Sequence, residues 1–247
     1  MTSTSIRSRG PTEIRPFFSE PVREYALRRM GRPVAVLRAG CLAPLHELGL
    51  DRLRDDGTAL TVTTVDVDHP AARPVGGSSQ GIVEDLRSTP LRPRTFDIVL
   101  CSGLIEHIRG VEVVLDRLVA ALRPGGLLLL RAADRECASG LLDRALPPLA
   151  RRAIWRRRHP DLSGPLPRVY EPIVSARGIY DYALLRGLVI AARTAVRTEP
   201  AAPGGAWRAA RLLGAIVSWA TRGRRTCDHD ELLYVIRKPE DRFARVV

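Results

Sequence analysis

One continuous segment, residues 96–130, constrains the fold more than any other part of the chain. It reads FDIVLCSGLIEHIRGVEVVLDRLVAALRPGGLLLL, in which the apolar run Phe96–Leu100 is followed by a helical pattern from Val111 and by a second apolar run. Pro124–Gly126 is predicted to end the helix in a turn, since proline cannot continue a helix. Two buried strands joined by a helix form a parallel crossover unit, and ligands bind beyond the carboxyl ends of such strands. The segment therefore predicts an α/β sheet with a ligand site near Cys101–His107.

Apolar runs and helical patterns alternate along most of the chain. Further strands are predicted at Val34–Leu37, Ala59–Val65, Gly81–Glu84, Leu188–Ala192 and Glu231–Ile236. Helices are predicted at Glu20–Met30, Pro44–Arg54, Pro148–Arg157, Ala176–Leu185 and Ala206–Ala220. The pattern is typical of an α/β fold with a doubly wound, mostly parallel sheet of about seven strands, helices on both faces and an Arg-rich helical insertion.

The 247 residues are enough for one such domain with additions. Residues 1–30 are predicted to be an N-terminal extension, disordered over residues 1–15, which are polar and rich in arginine. Residues 31–247 are predicted to form a single domain with insertions at about 134–174 and 197–228. The first insertion contains many Arg and Pro residues and no clear strand.

Composition limits the class of protein. No run of 18 apolar residues is present, so no membrane-spanning helix is expected, and the N-terminus lacks the apolar stretch of a secretory signal. The four cysteines show no paired spacing, so the sequence predicts neither a metal site nor a disulfide framework. A cytoplasmic location follows as the expectation.

The formal net charge of +12 raises the question of nucleic-acid binding. Nearly all basic residues are arginines spread along the chain, and Lys238 is the only lysine. This imbalance is more typical of a GC-rich coding sequence than of a phosphate-binding surface, so nucleic acid is not the expected partner. Contact with a membrane or another anionic surface through Arg151–Arg158 stays open as an alternative.

Two short motifs carry a family resemblance. Phe96–Val99 with His107-Ile108, followed by Leu122–Gly126 (LRPGG), resembles the class I S-adenosylmethionine-dependent methyltransferases, and most closely those of methyltransferase type 11. The resemblance covers residues 34–132. It implies a Rossmann-like sheet, S-adenosylmethionine as the cofactor and a small-molecule acceptor, and it leaves the oligomeric state open.

The resemblance also implies which residues bind the cofactor. Asp66 would accept hydrogen bonds from the ribose hydroxyls beside Val67, because a carboxylate accepts two O–H donors; Asp68 is the alternative. Asp85 would meet the adenine amino group next to the Leu86 backbone. A turn-forming or helix-capping role without a ligand remains the alternative for both acids.

The end of the fourth strand is assigned to the methionine part of the cofactor. Cys101 and Ser102 are small and would leave room for the sulfonium and the acceptor. Cys101 is not expected to be a nucleophile, because no base is identifiable for it. His107 is the candidate catalytic group, since imidazole exchanges protons near neutral pH; a structural role that holds the loop is the alternative.

The first loop departs from the family pattern. Ala39, Gly40 and Cys41 match the start of the cofactor loop, but Leu42 and Pro44 replace its later glycines. Arg38 also stands where an acid is common. Three accounts follow: a reshaped loop that still binds S-adenosylmethionine, a fold that has lost strong cofactor binding, or a pocket that takes an anionic ligand.

The sequence thus predicts a methyltransferase that acts on a small molecule, with Trp155, Tyr170 or Tyr180 available to contact it. A non-catalytic methyltransferase-fold partner or scaffold with weakened cofactor binding is the first alternative. An RNA-binding or RNA-modifying protein is the second.

Overall fold

The computed structural model describes one α/β sheet with helices on both sides. The described residues are 14–29, 31–40, 58–66, 80–83, 86–88, 90–147, 149, 153, 169–197, 212, 214–216, 219–222 and 227–240. The strands are β1 (Val34–Ala39), β2 (Leu60–Asp66), β3 (Gln80–Val83), β4 (Phe96–Ser102), β5 (Leu122–Ala133), β6 (Val189–Val196) and β7 (Glu231–Arg237). The helices are α1 (Ile14–Arg28), α2 (Val111–Ala121), α3 (Ala138–Ala145) and α4 (Ala176–Leu185).

The strands form one mixed sheet in the order β3-β2-β1-β4-β5-β7-β6. Neighbours from β3 to β5 run parallel, whereas β7 is antiparallel to both β5 and β6. The doubly wound, mostly parallel, Rossmann-like sheet of about seven strands is therefore confirmed. The chain moves outward from β1 to β2 and β3 and then returns to β4 on the other side of β1, so the β1–β4 boundary is the topological switch point, where such sheets bind ligands.

Alternate side chains of the central strands belong to two separate cores. On β4, Ile98 and Leu100 face one core, and Val99 and Cys101 face the other. The first core is covered by α1, and the second by α2 and α4. The helices therefore cover both faces, as predicted, and the apolar run of β4 is explained by burial on two sides.

Helix α1 begins at Ile14, six residues before the predicted start at Glu20, and it contains Pro21. The end of the segment predicted to be disordered is therefore helical. Phe18 and Val22 are fully buried against the sheet. Burying such side chains contributes about 1.5–3 kcal/mol each, which offsets the roughly 3 kcal/mol that a proline costs inside a helix.

The Pro-Gly-Gly segment lies within the bounds of β5, at a shift of the β4–β5 register, and not in a turn that ends the helix. Helix α2 ends at Ala121, and Leu122 is already extended, with φ −70° and ψ 139°. The side chain of Lys238 donates 2.8 Å hydrogen bonds to the carbonyls of Val119 and Leu122, which satisfies the end of the helix. Gly125 has φ +78° and donates its N–H to the Lys238 carbonyl.

The motif residues Asp97 and Arg123 join β1, β4 and β5 at their amino ends. The Asp97 carboxylate is fully buried and accepts hydrogen bonds from the Tyr25 hydroxyl and the Ala35 N–H, both at 2.9 Å. It also pairs with Arg29 at 3.0 Å and with Arg123 at 2.5 Å. The motif that carries the family resemblance thus holds the sheet together at the edge opposite the expected ligand site.

Several predictions fall outside the described residues. The helix at Pro44–Arg54 lies there, as do most of the helices at Pro148–Arg157 and Ala206–Ala220 and nearly all of the basic cluster Arg151–Arg158. Across the part of the chain that is described, no helix is long and apolar enough to cross a membrane.

Candidate functional site

The carboxyl ends of β1, β2 and β4 meet at the switch point. Ala39, the last residue of β1, is opposite Val65 of β2 on one side and Cys101 of β4 on the other. The N–H of Gly40 continues the β1–β2 ladder by donating to the Val65 carbonyl at 3.1 Å. The fold therefore brings together the start of the predicted cofactor loop and the predicted methionine-binding turn.

Gly40 is required by this arrangement. Its φ is +94°, and a Cβ atom added there would lie 2.5 Å from the Ser102 carbonyl oxygen. Only glycine allows both the backbone conformation and the close approach of the first loop to the end of β4. Arg38, two residues earlier, shares the alternating face of Val34 and Val36, on the side covered by α1.

Cys101 and Ser102 are buried at the end of β4. Burial raises the pKa of the Cys101 thiol far above its usual range, with the nearby Glu106 carboxyl adding to the effect. The thiol therefore stays protonated, which agrees with the expectation that it is not a nucleophile. Gly103 follows with φ +60° and donates its N–H to the Arg131 carbonyl of β5.

The other predicted cofactor residues are described only in part. Asp66 is the last residue of β2 and its backbone pairs with Val83 of β3. Leu86 is buried in the core that α2 covers. Cys41, Val67 and Asp85 lie outside the described residues. The binding roles of all these residues stay predictions.

A cavity of about 110 Å³ opens beside the end of β4. It is lined by Ser102, Gly103, Glu106, Arg131, Ala132, Ala133 and Glu231. These residues come from the ends of β4 and β5, the loop after β4 and the start of β7. The cavity thus continues from the predicted methionine-binding turn toward the half of the sheet beyond β4.

Glu106 is the lining residue that the sequence analysis missed. The residue is buried, with only 5% of its surface exposed. One carboxyl oxygen, Oε1, accepts the Ala133 N–H at 3.4 Å, while Oε2 is buried and, among the described residues, has no hydrogen-bond partner. Burial raises the pKa of this carboxyl, and only smaller effects, led by the charge of His107, oppose the shift. An acid inside the apolar stretch Leu104–Ile108 was the signal that could have identified it.

His107, the predicted catalytic group, is half-buried and does not belong to the cavity lining. The backbone N–H of His107 donates to the Leu104 carbonyl at 3.0 Å, which closes a turn in the loop after β4. The catalytic role of His107 stays a prediction.

The loop after β4 is held by the segment that follows the Arg-rich insertion. The Glu106 carbonyl accepts the N–H groups of Val169 and Tyr170, both at 3.1 Å. The Glu171 carboxylate accepts the N–H groups of Gly110 at 2.7 Å and Val111 at 3.0 Å, which satisfies the start of α2. Tyr170, proposed from sequence as an aromatic contact for the acceptor, is buried and donates its hydroxyl to Asp143.

An ion pair forms one wall of the cavity. Arg131 of β5 donates to the Glu231 carboxylate of β7 through Nε at 2.8 Å and Nη2 at 3.2 Å. The two-pronged geometry fixes both side chains across the antiparallel pair. Neither charge of this pair needs a ligand for compensation.

Comparisons with known proteins agree with the fold. Residues 39–130 match the family model described as a methyltransferase domain. The chain is 29% identical over 138 residues to a ubiquinone biosynthesis O-methyltransferase of Nitrobacter winogradskyi, covering 51% of this chain and 52% of that protein. It is 31% identical over 139 residues to the protein of the same name from a Bradyrhizobium species, covering 51% and 54%.

The chain therefore spans about half the length of the curated relatives it matches. Among solved structures, a protein described as an S-adenosylmethionine-dependent methyltransferase from Methanosarcina mazei is similar with a TM-score of 0.51 at 13% identity. That match covers 89% of this chain and 98% of the other. At this identity the likeness concerns the fold alone.

Proposed function

We propose that the chain is an S-adenosylmethionine-dependent methyltransferase that transfers a methyl group to a small-molecule acceptor, as the match of residues 39–130 to the methyltransferase-domain model supports. The observation that carries the proposal is the cavity beside Ser102 and Gly103, at the end of the strand that meets β1 at the switch point. The names of the curated relatives, both O-methyltransferases, support an oxygen acceptor.

The described residues that would hold the cofactor meet at the switch point. Gly40 lets the first loop lie against the Ser102 carbonyl, and Cys101 and Ser102 place small side chains at the end of β4. Residues that would hold S-adenosylmethionine are Ala39, Gly40, Cys41, Asp66, Val67, Asp85, Leu86, Cys101 and Ser102. When bound, this cofactor supplies a methyl group that is activated by attachment to a positively charged sulfur.

The chain's own contribution is to place the acceptor. The cavity is smaller than the roughly 300–1,000 Å³ of common small-molecule pockets, so it takes one functional group of the acceptor rather than the whole molecule. Holding that group in line with the activated methyl supplies much of the rate, because effective molarities of well-oriented groups reach about 10⁵–10⁸ M. Ser102 and Ala132, which line this cavity, are themselves buried.

The test is a transfer assay with S-adenosylmethionine that carries a labelled methyl group, run against panels of phenols, amines and RNA. We expect label in at least one phenol and none in RNA. Label recovered only in RNA would overturn the small-molecule assignment.

A further inference from the structure

Glu106 has an arrangement that a purely structural role does not explain. Its backbone carbonyl and its Oε1 atom hold the loop in place through Val169, Tyr170 and Ala133. The second oxygen, Oε2, contributes to none of these contacts, although a buried acceptor left unpaired costs about 1–3 kcal/mol. The residue lines the cavity beside the end of β4.

The groups around Glu106 do not provide it with a compensating ion pair. Cys101 of β4 and Tyr170 after the insertion both have pKa values raised by burial, so both face it as neutral groups. Glu231 of β7 adds a like charge, and Arg131 of β5 is engaged with Glu231. The interaction with His107, the next residue, lowers the pKa of Glu106 by less than burial raises it. Glu106 thus lines a small cavity whose one basic lining residue, Arg131, is engaged with Glu231, while its buried Oε2 atom has no hydrogen-bond partner among the described residues.

We propose that Glu106 binds the hydroxyl group of the methyl acceptor through Oε2 and takes its proton during methyl transfer. This inference rests on the proposed function and deepens it, because it assigns the acceptor to hydroxyl compounds such as phenols. A hydroxyl satisfies the unpaired oxygen with one hydrogen bond and brings no charge into a buried site.

The step balances in atoms and electrons. The acceptor oxygen forms a bond to the methyl carbon, and the bond between that carbon and the donor sulfur breaks. The electron pair of the broken bond stays on sulfur, which becomes a neutral thioether. The proton of the acceptor hydroxyl moves to Oε2, so Glu106 ends as a neutral carboxylic acid and the methyl ether is released.

The consequence for pH follows from burial of the carboxyl. Only the ionised form accepts a proton, and burial raises the pKa of Glu106. The transfer rate should therefore increase as the pH rises through that raised pKa and fall on the acidic side.

The experiment compares the wild-type protein with Glu106→Gln, in which the amide oxygen can still accept the Ala133 N–H. Glu136→Gln, on an exposed position, is the matched control. Calorimetry with S-adenosylhomocysteine first establishes that each variant is folded and binds; we expect affinities within about threefold of wild type, since Glu106 is outside the cofactor cradle. If neither the wild-type protein nor either variant binds S-adenosylhomocysteine, the result contradicts the proposed function and not the role of Glu106.

Infrared difference spectra then report on the carboxyl itself. Wild type and Glu136→Gln should show a carboxylic-acid C=O band that titrates with pH and shifts when catechol is added to the complex with S-adenosylhomocysteine. The band should be absent from Glu106→Gln. A band that no member of a panel of phenols shifts would overturn the inference.

Activity supplies the second readout. With any phenol that is methylated, Glu106→Gln should lower kcat at least tenfold and lose the acidic limb of the pH profile. His107→Gln distinguishes the neighbouring residue. If that variant loses the acidic limb while Glu106→Gln keeps it, His107 is the proton acceptor and the assignment to Glu106 is wrong.

Discussion

At the scale of single residues, the site depends on Gly40. Its backbone links the end of β1 to β2, and its missing side chain lets the first loop contact the Ser102 carbonyl. Two separate requirements coincide there, a positive φ and the absence of a Cβ atom. The family resemblance pointed to this residue as part of the cofactor loop, but the contact with Ser102 appears only in the folded sheet.

Gly40→Ala should reduce the free energy of unfolding by about 2–4 kcal/mol, because backbone strain of about 1–3 kcal/mol adds to the clash with Ser102. Urea unfolding followed by circular dichroism measures the change.

Gly187→Ala is the matched control for Gly40→Ala. Its φ is +63°, but a Cβ atom there would have no neighbour within 4 Å, so only the conformational cost remains. Equal losses in the two variants would show that the contact with Ser102 adds nothing.

At the scale of elements, the motif residues Asp97 and Arg123 act on the stability of the sheet. Asp97 and Arg123 join β1, β4 and β5 at their amino ends, and Lys238 satisfies the end of α2. Gly126 approaches this anchor closely, since a Cβ atom there would lie 2.9 Å from the Asp97 carbonyl oxygen. The motif therefore predicts the fold well and says little about catalysis.

Asp97→Asn should lower the free energy of unfolding by about 2–4 kcal/mol. Breaking a fully buried pair costs about 3–5 kcal/mol, and the partial exposure of Arg29 and Arg123 reduces this. Urea unfolding checks the value.

Glu24→Gln serves as the comparison for Asp97→Asn, because the pair of Glu24 with Arg28 is solvent-exposed and should contribute at most about 0.5 kcal/mol. A loss from Asp97→Asn no larger than that from Glu24→Gln would contradict the anchoring role of the carboxylate.

Helix and strand boundaries show where sequence reasoning stops. The sequence predicted a helix from Glu20, yet burial of Phe18 and Val22 extends α1 back to Ile14, with Pro21 inside the helix. The Pro-Gly-Gly segment suggested a turn, yet it forms an irregularity inside β5, where the β4 register shifts and Gly125 and Gly126 exchange hydrogen bonds with Lys238 after β7. Both outcomes depend on neighbours that are distant in sequence.

At the scale of the whole molecule, the order of apolar runs was sufficient to predict the doubly wound sheet. The antiparallel direction of β7 was not predicted, because a buried strand has the same apolar pattern in either direction. The candidate site followed from the carboxyl ends of the strands, but Glu106 did not. Glu106 is buried because Ala133 of β5 and the residues Val169 and Tyr170 contact it. These contacts join positions far apart in the sequence, so a local pattern does not predict them.

The central claim is that the β1–β4 switch point binds S-adenosylmethionine despite the altered first loop. Calorimetric titration with S-adenosylhomocysteine tests it most directly, together with Asp66→Ala. We expect saturable binding by the wild-type protein, weakened by about 1–3 kcal/mol in the variant through loss of a charged hydrogen-bond acceptor. A folded wild-type protein that releases no heat and shows no binding would contradict the account.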